Sequence, residues 1–301
     1  MALRRTTNLV MLTLCALAAT LALVVLGLVL FFLVSKGFHA LRWSLFTRIP
    51  DAVNPKHGGI AQSITGTLTL LGLASLLGLP LGILGGIYQV EEKGKFANLV
   101  RFFTDVLNGI PSIVIGIFVY AVWVLPTAER MHRLGQSGSA FSALAGGFAL
   151  GIMMIPTVMR TTEEILRLVP FSMREASLGL GATRWRTMWS VVLPAARGGV
   201  ITGVMLALAR IAGETAPLLF TILGSEIFYT HRAHILGHLT TVPTLGAPID
   251  AMPLRIYNYA TAVDPDQQNI AWAAALVLIG LILILSIAAR MATRSRFLEE
   301  K

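Results

Sequence analysis

Charge is scarce in this sequence and cysteine almost absent. Asp, Glu, Lys and Arg make up 13% of the 301 residues, against 55% hydrophobic ones. The mean hydropathy is +0.74. So few charges cannot coat a soluble globule, and apolar runs of about twenty residues or more recur along the chain. That leaves no room for a sizeable soluble domain and implies an integral membrane protein with several helices. Cys15 is the only cysteine, which excludes an internal disulfide and a cysteine-rich metal site. It sits in an apolar run and reads as a small helix residue. A G-x-x-x-x-G-K-[ST] phosphate loop is missing, so the chain cannot bind ATP in the usual way. Paired catalytic carboxylates, an H-E-x-x-H motif and a Ser/His set within the apolar runs are missing too, which argues against an intramembrane enzyme.

What is present is a series of six apolar spans, at about residues 9–34, 64–90, 102–125, 140–159, 200–223 and 270–289. Arg4 and Arg5 precede the first span as they would a signal peptide. The run is too long for that, however, and lacks an A-x-A cleavage site, so it reads as a retained helix. Gly109 and Pro111 predict a kink in the third span. Asp264, Pro265 and Gln267 fit the N-cap, N1 and N3 positions of the sixth. With the N-terminus placed in the cytoplasm, fifteen Lys and Arg fall on the inside and eight on the outside, with Arg210 left within the membrane. The positive-inside rule therefore puts both termini in the cytoplasm. The net charge of +9 is accounted for by these basic loops rather than by nucleic-acid binding.

The fold class expected is an all-α membrane protein. Residues 1–63 hold the first span and first outer loop, 64–290 a transmembrane domain, and 291–301 a cytoplasmic tail. Two connections are long, a cytoplasmic one and an outer one at about 224–269. Long loops are usually functional or disordered. His231, His234 and His238 lie in the outer one. No carboxylate or cysteine at matching spacing completes the set, so they read as loop residues rather than metal ligands. Asp105 reads as a helix acid or an arginine partner rather than a ligand.

The cytoplasmic stretch SMREASLGLGATRWRTMWSVVLP, residues 172–194, predicts two short helices. Ser172 and Glu175 form a capping box, Gly179 and Gly181 a turn, Thr183 a second cap, and Pro194 an end. From the residues alone this is either an interfacial pair anchored by Trp and Arg or a docking surface for a cytoplasmic partner. The fifth span carries Arg210 and Glu214, one turn apart on a continuous helix and able to meet on one face. Ionisable groups inside a membrane are costly, and by default they mark a translocation path. A self-neutralising packing pair is the alternative. Arg suits a tetrahedral oxyanion, but Glu214 would cancel its charge, so such a site needs further cations, Arg160 being one candidate.

Glu175-Ala176-Ser177, three residues, Gly181, nine residues, then Val191-x-Leu193-Pro194 resembles the EAA signature of ABC-importer permeases. Ser stands for the second Ala and Val for Ile, with the spacing intact. ARIAGETAPLLFT (209–221), IPTVMRTTEEILRLVP (155–170), GIPSIVIGIF (109–118) and PLRIYNYA (253–260) are similar to PstA-type permeases of phosphate importers. They follow in the expected order over about residues 60–290.

The resemblance implies a type I ABC-importer permease bundle whose coupling segment, at about 170–194, docks on an ATPase through Glu175, Ala176 and Gly181. It implies substrate translocation at Arg210 and Arg160, with Glu214 beside Arg210 in the same matched motif; we read Glu214 as a charge partner that lets phosphate compete for Arg210. It also implies a non-catalytic subunit of the bacterial inner membrane that binds no cofactor itself. ATP and Mg belong to two PstB-type ATPases, and a PstC-type permease and an extracytoplasmic PstS-type binding protein complete the assembly. A permease for another oxyanion, or an ion-coupled secondary transporter using Arg210 and Glu214 as a relay, are the alternatives. The EAA spacing argues against the second.

Overall fold

The computed structural model describes residues 2–51, 54, 57–136, 138–225, 227, 229–235 and 238–294. Its helices are α1 (Ala2–Ala40), α2 (Trp43–Thr47), α3 (Ala61–Glu91), α4 (Lys95–Gly109), α5 (Ser112–Val119), α6 (Leu125–Arg133), α7 (Ala143–Arg167), α8 (Phe171–Gly179), α9 (Arg184–Thr187), α10 (Leu193–Ala212), α11 (Ala216–Thr221), α12 (Met252–Ala260) and α13 (Pro265–Arg294). Strands β1 (Thr230–Ile235) and β2 (His238–Pro243) lie between α11 and α12. Among the described residues, six helical segments are long and apolar enough to cross a membrane: 6–40, 61–91, 112–133, 143–167, 184–212 and 265–291.

The centre of the bundle is α3 against α7. Small residues let the two axes approach: a Cβ on Gly82 would lie 2.6 Å from that of Val158, and one on Gly86 2.7 Å from that of Thr162. Leu70, Met154, Val158, Ile211 and Leu218 fill the core around this contact. The first span is the opposite case. It exposes apolar residues along most of its length and packs on α13 near its end, where Gly37 faces the Trp272 carbonyl.

Two expectations about spans change. The third span does not begin at Phe102. Lys95–Gly109 is a separate amphipathic helix, and the chain turns at Ile110-Pro111 before the span proper starts at Ser112. Proline pushes the residue before it out of the helical region, and Ile110 has ψ 129°. The fifth span ends at Ala212 rather than Leu223, and α11 is a separate short helix after Gly213, Glu214 and Thr215. Pro217 of α11 packs on Gly116 of α5, where a Cβ would lie 2.6 Å from the Pro217 Cα.

Pro194 does not end the second short helix of the 172–194 stretch. A π-turn over Met188–Val192 carries the helix through it into α10, just as a π-turn over Tyr120–Val124 precedes Pro126. A local widening of this kind absorbs the missing proline N–H.

On the side of the bundle opposite α8 and α9, the segment read as a loop contains an antiparallel hairpin, with Thr230 opposite Pro243 and Ile235 opposite His238. His231, His234 and His238 lie in it, with side chains outside the described residues. Behind the hairpin, Asp250 and Arg255 form a buried pair, Nε to Oδ2 at 2.9 Å. Ser63 of α3 donates to Asp250, Arg255 donates to the Ser225 carbonyl at 3.2 Å, and the guanidinium lies 5.0 Å from the Tyr259 ring centre. Arg255 counts as an ordinary loop charge in the sequence, yet it is the buried anchor of this face. The predicted start of α13 is present: Asp264 Oδ1 accepts from the Asp266 N–H at 2.9 Å, with Pro265 first in the helix.

Candidate functional site

An arginine of α10 reaches α7 one turn from an arginine of α7 itself. Thr157 and Arg160 are one turn apart on the same face of that helix. Arg210, in the last turn of α10, directs Nη1 at the Thr157 hydroxyl from 3.5 Å. Its place suits a cation, because the last turn of a helix presents unsatisfied carbonyls. Arg160 is held differently. Its Nε donates to Glu164 Oε1 at 2.8 Å, and its Nη1 lies 3.5 Å from Asp105 Oδ1 of α4. All three side chains remain open, at 44% exposure for Arg160, 57% for Asp105 and 59% for Glu164. The reading of Asp105 as an arginine partner is thus borne out.

Arg210 and Glu214 do not pair. Because α10 ends at Ala212, the one-turn relation expected for them does not exist. The Glu214 N–H bonds the Ile211 carbonyl at 3.2 Å as the chain leaves the helix. Among the described residues no ion pair joins the two side chains.

The neighbour of Glu164 has another role. Glu163 points into the protein, where Arg101 reaches it at 2.9 Å and Arg167 at 2.5 Å. Arg101 also donates to the Gln89 carbonyl at 3.1 Å. This cluster fastens α4 to α7 and α3. Two adjacent glutamates therefore divide into one buried fastener and one open partner of Arg160, a distinction that follows from the helix face each occupies.

At one end of the bundle, α8 and α9 form the expected helix–turn–helix. Gly181 takes φ +84°, the left-handed conformation that glycine adopts without strain. Thr183 caps α9 by accepting from the Arg186 N–H. The capping box at Ser172 is not formed: α8 starts at Phe171 after Pro170, and Ser172 lies inside it. Arg174 ties α8 to the rest, pairing with Glu91 at the end of α3 at 2.8 Å and donating to the Leu166 carbonyl at 3.1 Å. Ser177 and Thr187 hydrogen-bond at 2.9 Å across the turn. What stays outside is a face with Glu175, Ala176, Gly181, Phe171 and Leu180, the last 90% exposed. A cavity of about 560 Å³ opens between this unit and the end of α3, lined by Glu91, Lys93, Phe171, Arg174 and Arg184 among others.

Sequence reasoning missed Thr157, Glu164 and the fasteners Arg101 and Glu163. The Arg160–Glu164 spacing of four was a readable signal. The contact between Arg101 and Glu163, 62 positions apart, was not.

Residues 78–297 match the family described as binding-protein-dependent transport system inner membrane component. The phosphate transport system permease protein PstA of Haemophilus influenzae is 38% identical over 96% of this chain and 94% of its own length. That of Yersinia pestis is 39% identical over 92% and 88%. Among solved structures, the fold is shared with the MetNI methionine ABC transporter, at TM-score 0.56 and 16% identity over 79% of this chain and 94% of that one. It is shared also with a bacterial alginate ABC transporter, at TM-score 0.55 and 16% identity over 91% and 94%. With the family match and the PstA relatives both extending over most of its length, the chain belongs to the binding-protein-dependent transport system inner membrane components, among the PstA permeases.

Proposed function

We propose that this chain is the transmembrane permease subunit of an ATP-driven importer of inorganic phosphate, forming half of its translocation path. The observation that carries the reading is the contact of Arg210 on α10 with Thr157 of α7, one turn from Arg160 on the same helix, in a chain whose relatives are named for phosphate transport. A guanidinium stays charged and presents fixed donors to a tetrahedral oxyanion. Arg210, without a carboxylate partner among the described residues, is the principal cation, and Arg160 is a second that an anion must share. Glu214 borders the path at the break after α10 rather than guarding Arg210 directly.

The exposed face of α8 and α9 is the seat of the ATPase, with Glu175, Ala176 and Gly181 at the contact. The Arg174–Glu91 pair transmits closure of the ATPase to α3 as a rigid-body movement. The other half of the path comes from a PstC-type permease, hydrolysis from two PstB-type ATPases that hold ATP and Mg, and delivery from a PstS-type binding protein. The chain itself holds no cofactor and catalyses no reaction. The α8–α9 side and both termini face the cytoplasm.

The test is reconstitution of these components in proteoliposomes. ATP-dependent phosphate uptake is expected with the wild-type chain. Arg210→Gln and Arg210→Lys should abolish or strongly reduce uptake while the complex still assembles. Undiminished uptake by an assembled Arg210→Gln complex sinks the assignment of Arg210. Failure of the chain to co-purify with any ATPase sinks the importer reading itself.

A further inference from the structure

The two arginines beside Thr157 sit in different electrostatic settings. Arg210 contacts a hydroxyl. Arg160 lies within ion-pair distance of two carboxylates from two helices, Asp105 on α4 and Glu164 on α7. This trio carries one more negative than positive charge. An oxyanion without a proton, such as sulfate, would reach Arg160 only against both carboxylates. An oxyanion that keeps a proton meets a different site. Its bare oxygens accept from the guanidinium, and its P–O–H donates to a carboxylate oxygen. A carboxylate has roughly four lone-pair sites over its two oxygens. Asp105 and Glu164 each direct only one oxygen at Arg160, and both are more than half exposed, so acceptor capacity remains and an anion can reach it.

These carboxylates are not needed to hold the helices together. Arg101, Arg167 and buried Glu163 fasten α4 to α7 nearby, and exposed ion pairs contribute little to stability. An acidic pair kept against a cation on the path is better explained by what it does to the passing anion.

We propose that Asp105 and Glu164 are specificity-determining residues which, with Arg160, admit a protonated tetrahedral oxyanion such as phosphate and disfavour an unprotonated one such as sulfate. Arg210 attracts anions of either kind and the trio filters them. This rests on the reading of Arg160 as a path residue. A site built around a hydrogen bond rejects the analogue that cannot make it, and neutralising the carboxylates weakens the acceptors and lifts the repulsion of an unprotonated anion, so the discrimination falls.

The experiment uses the assembled transporter without its binding protein, so that only the permease chooses. Equilibrium binding of radiolabelled phosphate is measured with sulfate as competitor, at a pH below the second ionisation of phosphate. In proteoliposomes with the binding protein restored, inhibition of phosphate uptake by sulfate supplied on the α8–α9 side, which the binding protein does not serve, gives a second readout. The wild type should resist sulfate. Asp105→Asn/Glu164→Gln should let sulfate compete at least ~10-fold better relative to phosphate, with subunit assembly unchanged. Asp105→Glu/Glu164→Asp, which keeps both charges, should restore resistance.

A phosphate-to-sulfate ratio unchanged in Asp105→Asn/Glu164→Gln overturns the proposal. If Arg160→Gln still loses phosphate in that case, the path assignment of Arg160 stands without the filter. Wild-type phosphate binding by Arg160→Gln would instead remove Arg160 from the path, and the filter with it.

Discussion

Arg255 Nε lies 2.9 Å from Asp250 Oδ2 with both side chains almost closed to solvent, at 5% and 1% exposure. The pair joins α12 to the start of α3 through Ser63 and to the chain before the hairpin through the Ser225 carbonyl. Burial pushes the Asp250 carboxyl up from its usual range, against the pull of Arg255 and of the Ser63 hydrogen bond. The partners are therefore unequal when separated. A carboxylate can take a proton, whereas a guanidinium cannot lose one. Asp250→Asn removes the charge from one member of a buried ion pair and should cost ~3–5 kcal/mol. Arg255→Met should cost less at acidic pH. A carboxyl whose folded pKa is raised stabilises the fold below its unfolded pKa, and that contribution is lost as pH rises through the folded value. The Arg255→Met defect should therefore grow with pH. Thermal unfolding in detergent across pH checks both; equal, pH-independent losses would refute the asymmetry.

Glu175 and Ala176 are exposed, and among the described residues no side-chain hydrogen bond or ion pair holds either. Ala176→Tyr and Glu175→Lys should leave the permease's unfolding temperature nearly unchanged, since such surface changes stay within about 0.5 kcal/mol. Both should abolish co-purification with the ATPase of the proposed complex. Gly181→Ala differs because its φ of +84° is unfavourable for any residue with a Cβ. It should cost ~1–2 kcal/mol locally and weaken docking through the displaced turn. Retained ATPase binding by Ala176→Tyr would place the docking face elsewhere.

Much of this arrangement is legible in the sequence. Six spans follow from hydropathy, and the α8–α9 turn follows from Gly181 and the Thr183 cap, because both signals are local in sequence. The interruption at Pro111 was half visible, and that after Ala212 was not. Pro111 advertises a change of direction, whereas the fifth span reads as continuous through Gly213, and only packing decides whether a helix kinks or stops. The hairpin was not legible: residues 230–243 carry no strong alternation, and three histidines and a terminal Pro243 obscure the pairing. The partners of the charges were least accessible. Arg255 and Glu163 look like surface residues until residues far apart in the chain close over them.

Arg210 and Glu214 should behave as independent residues. The helix between them has ended, so no pairwise term is available to lose. In a double-mutant cycle with Arg210→Gln and Glu214→Gln, the coupling in unfolding free energy should fall within ~0.3–0.5 kcal/mol of zero. The corresponding cycle with Arg160→Gln and Glu164→Gln should show a small favourable coupling, of order 0.3–0.5 kcal/mol, as for other exposed pairs at this spacing. A strong coupling between positions 210 and 214 would mean that α10 extends further in the membrane than Ala212.

Arg174 is the strut between the docking face and the bundle. It reaches Glu91 at the end of α3 and the Leu166 carbonyl near the end of α7, and α3 and α7 form the central pair of the fold. A movement imposed on α8 reaches that pair through Arg174, and through the continuous helix from α9 into α10. Removing the first connection should leave the second. Arg174→Ala should therefore keep the ATPase bound and hydrolysing while uptake per ATP falls severalfold, a loss of coupling rather than of assembly. Arg174→Lys keeps the charge at Glu91 but gives up the fork that serves two acceptors at once, and it should recover only part of the uptake. Glu91→Gln tests the same contact from the other end and should resemble Arg174→Lys more than Arg174→Ala, because the Leu166 bond survives. The ratio of phosphate transported to ATP hydrolysed in proteoliposomes decides the matter. If that ratio is unchanged in Arg174→Ala, the drive passes through α9 and α10 alone.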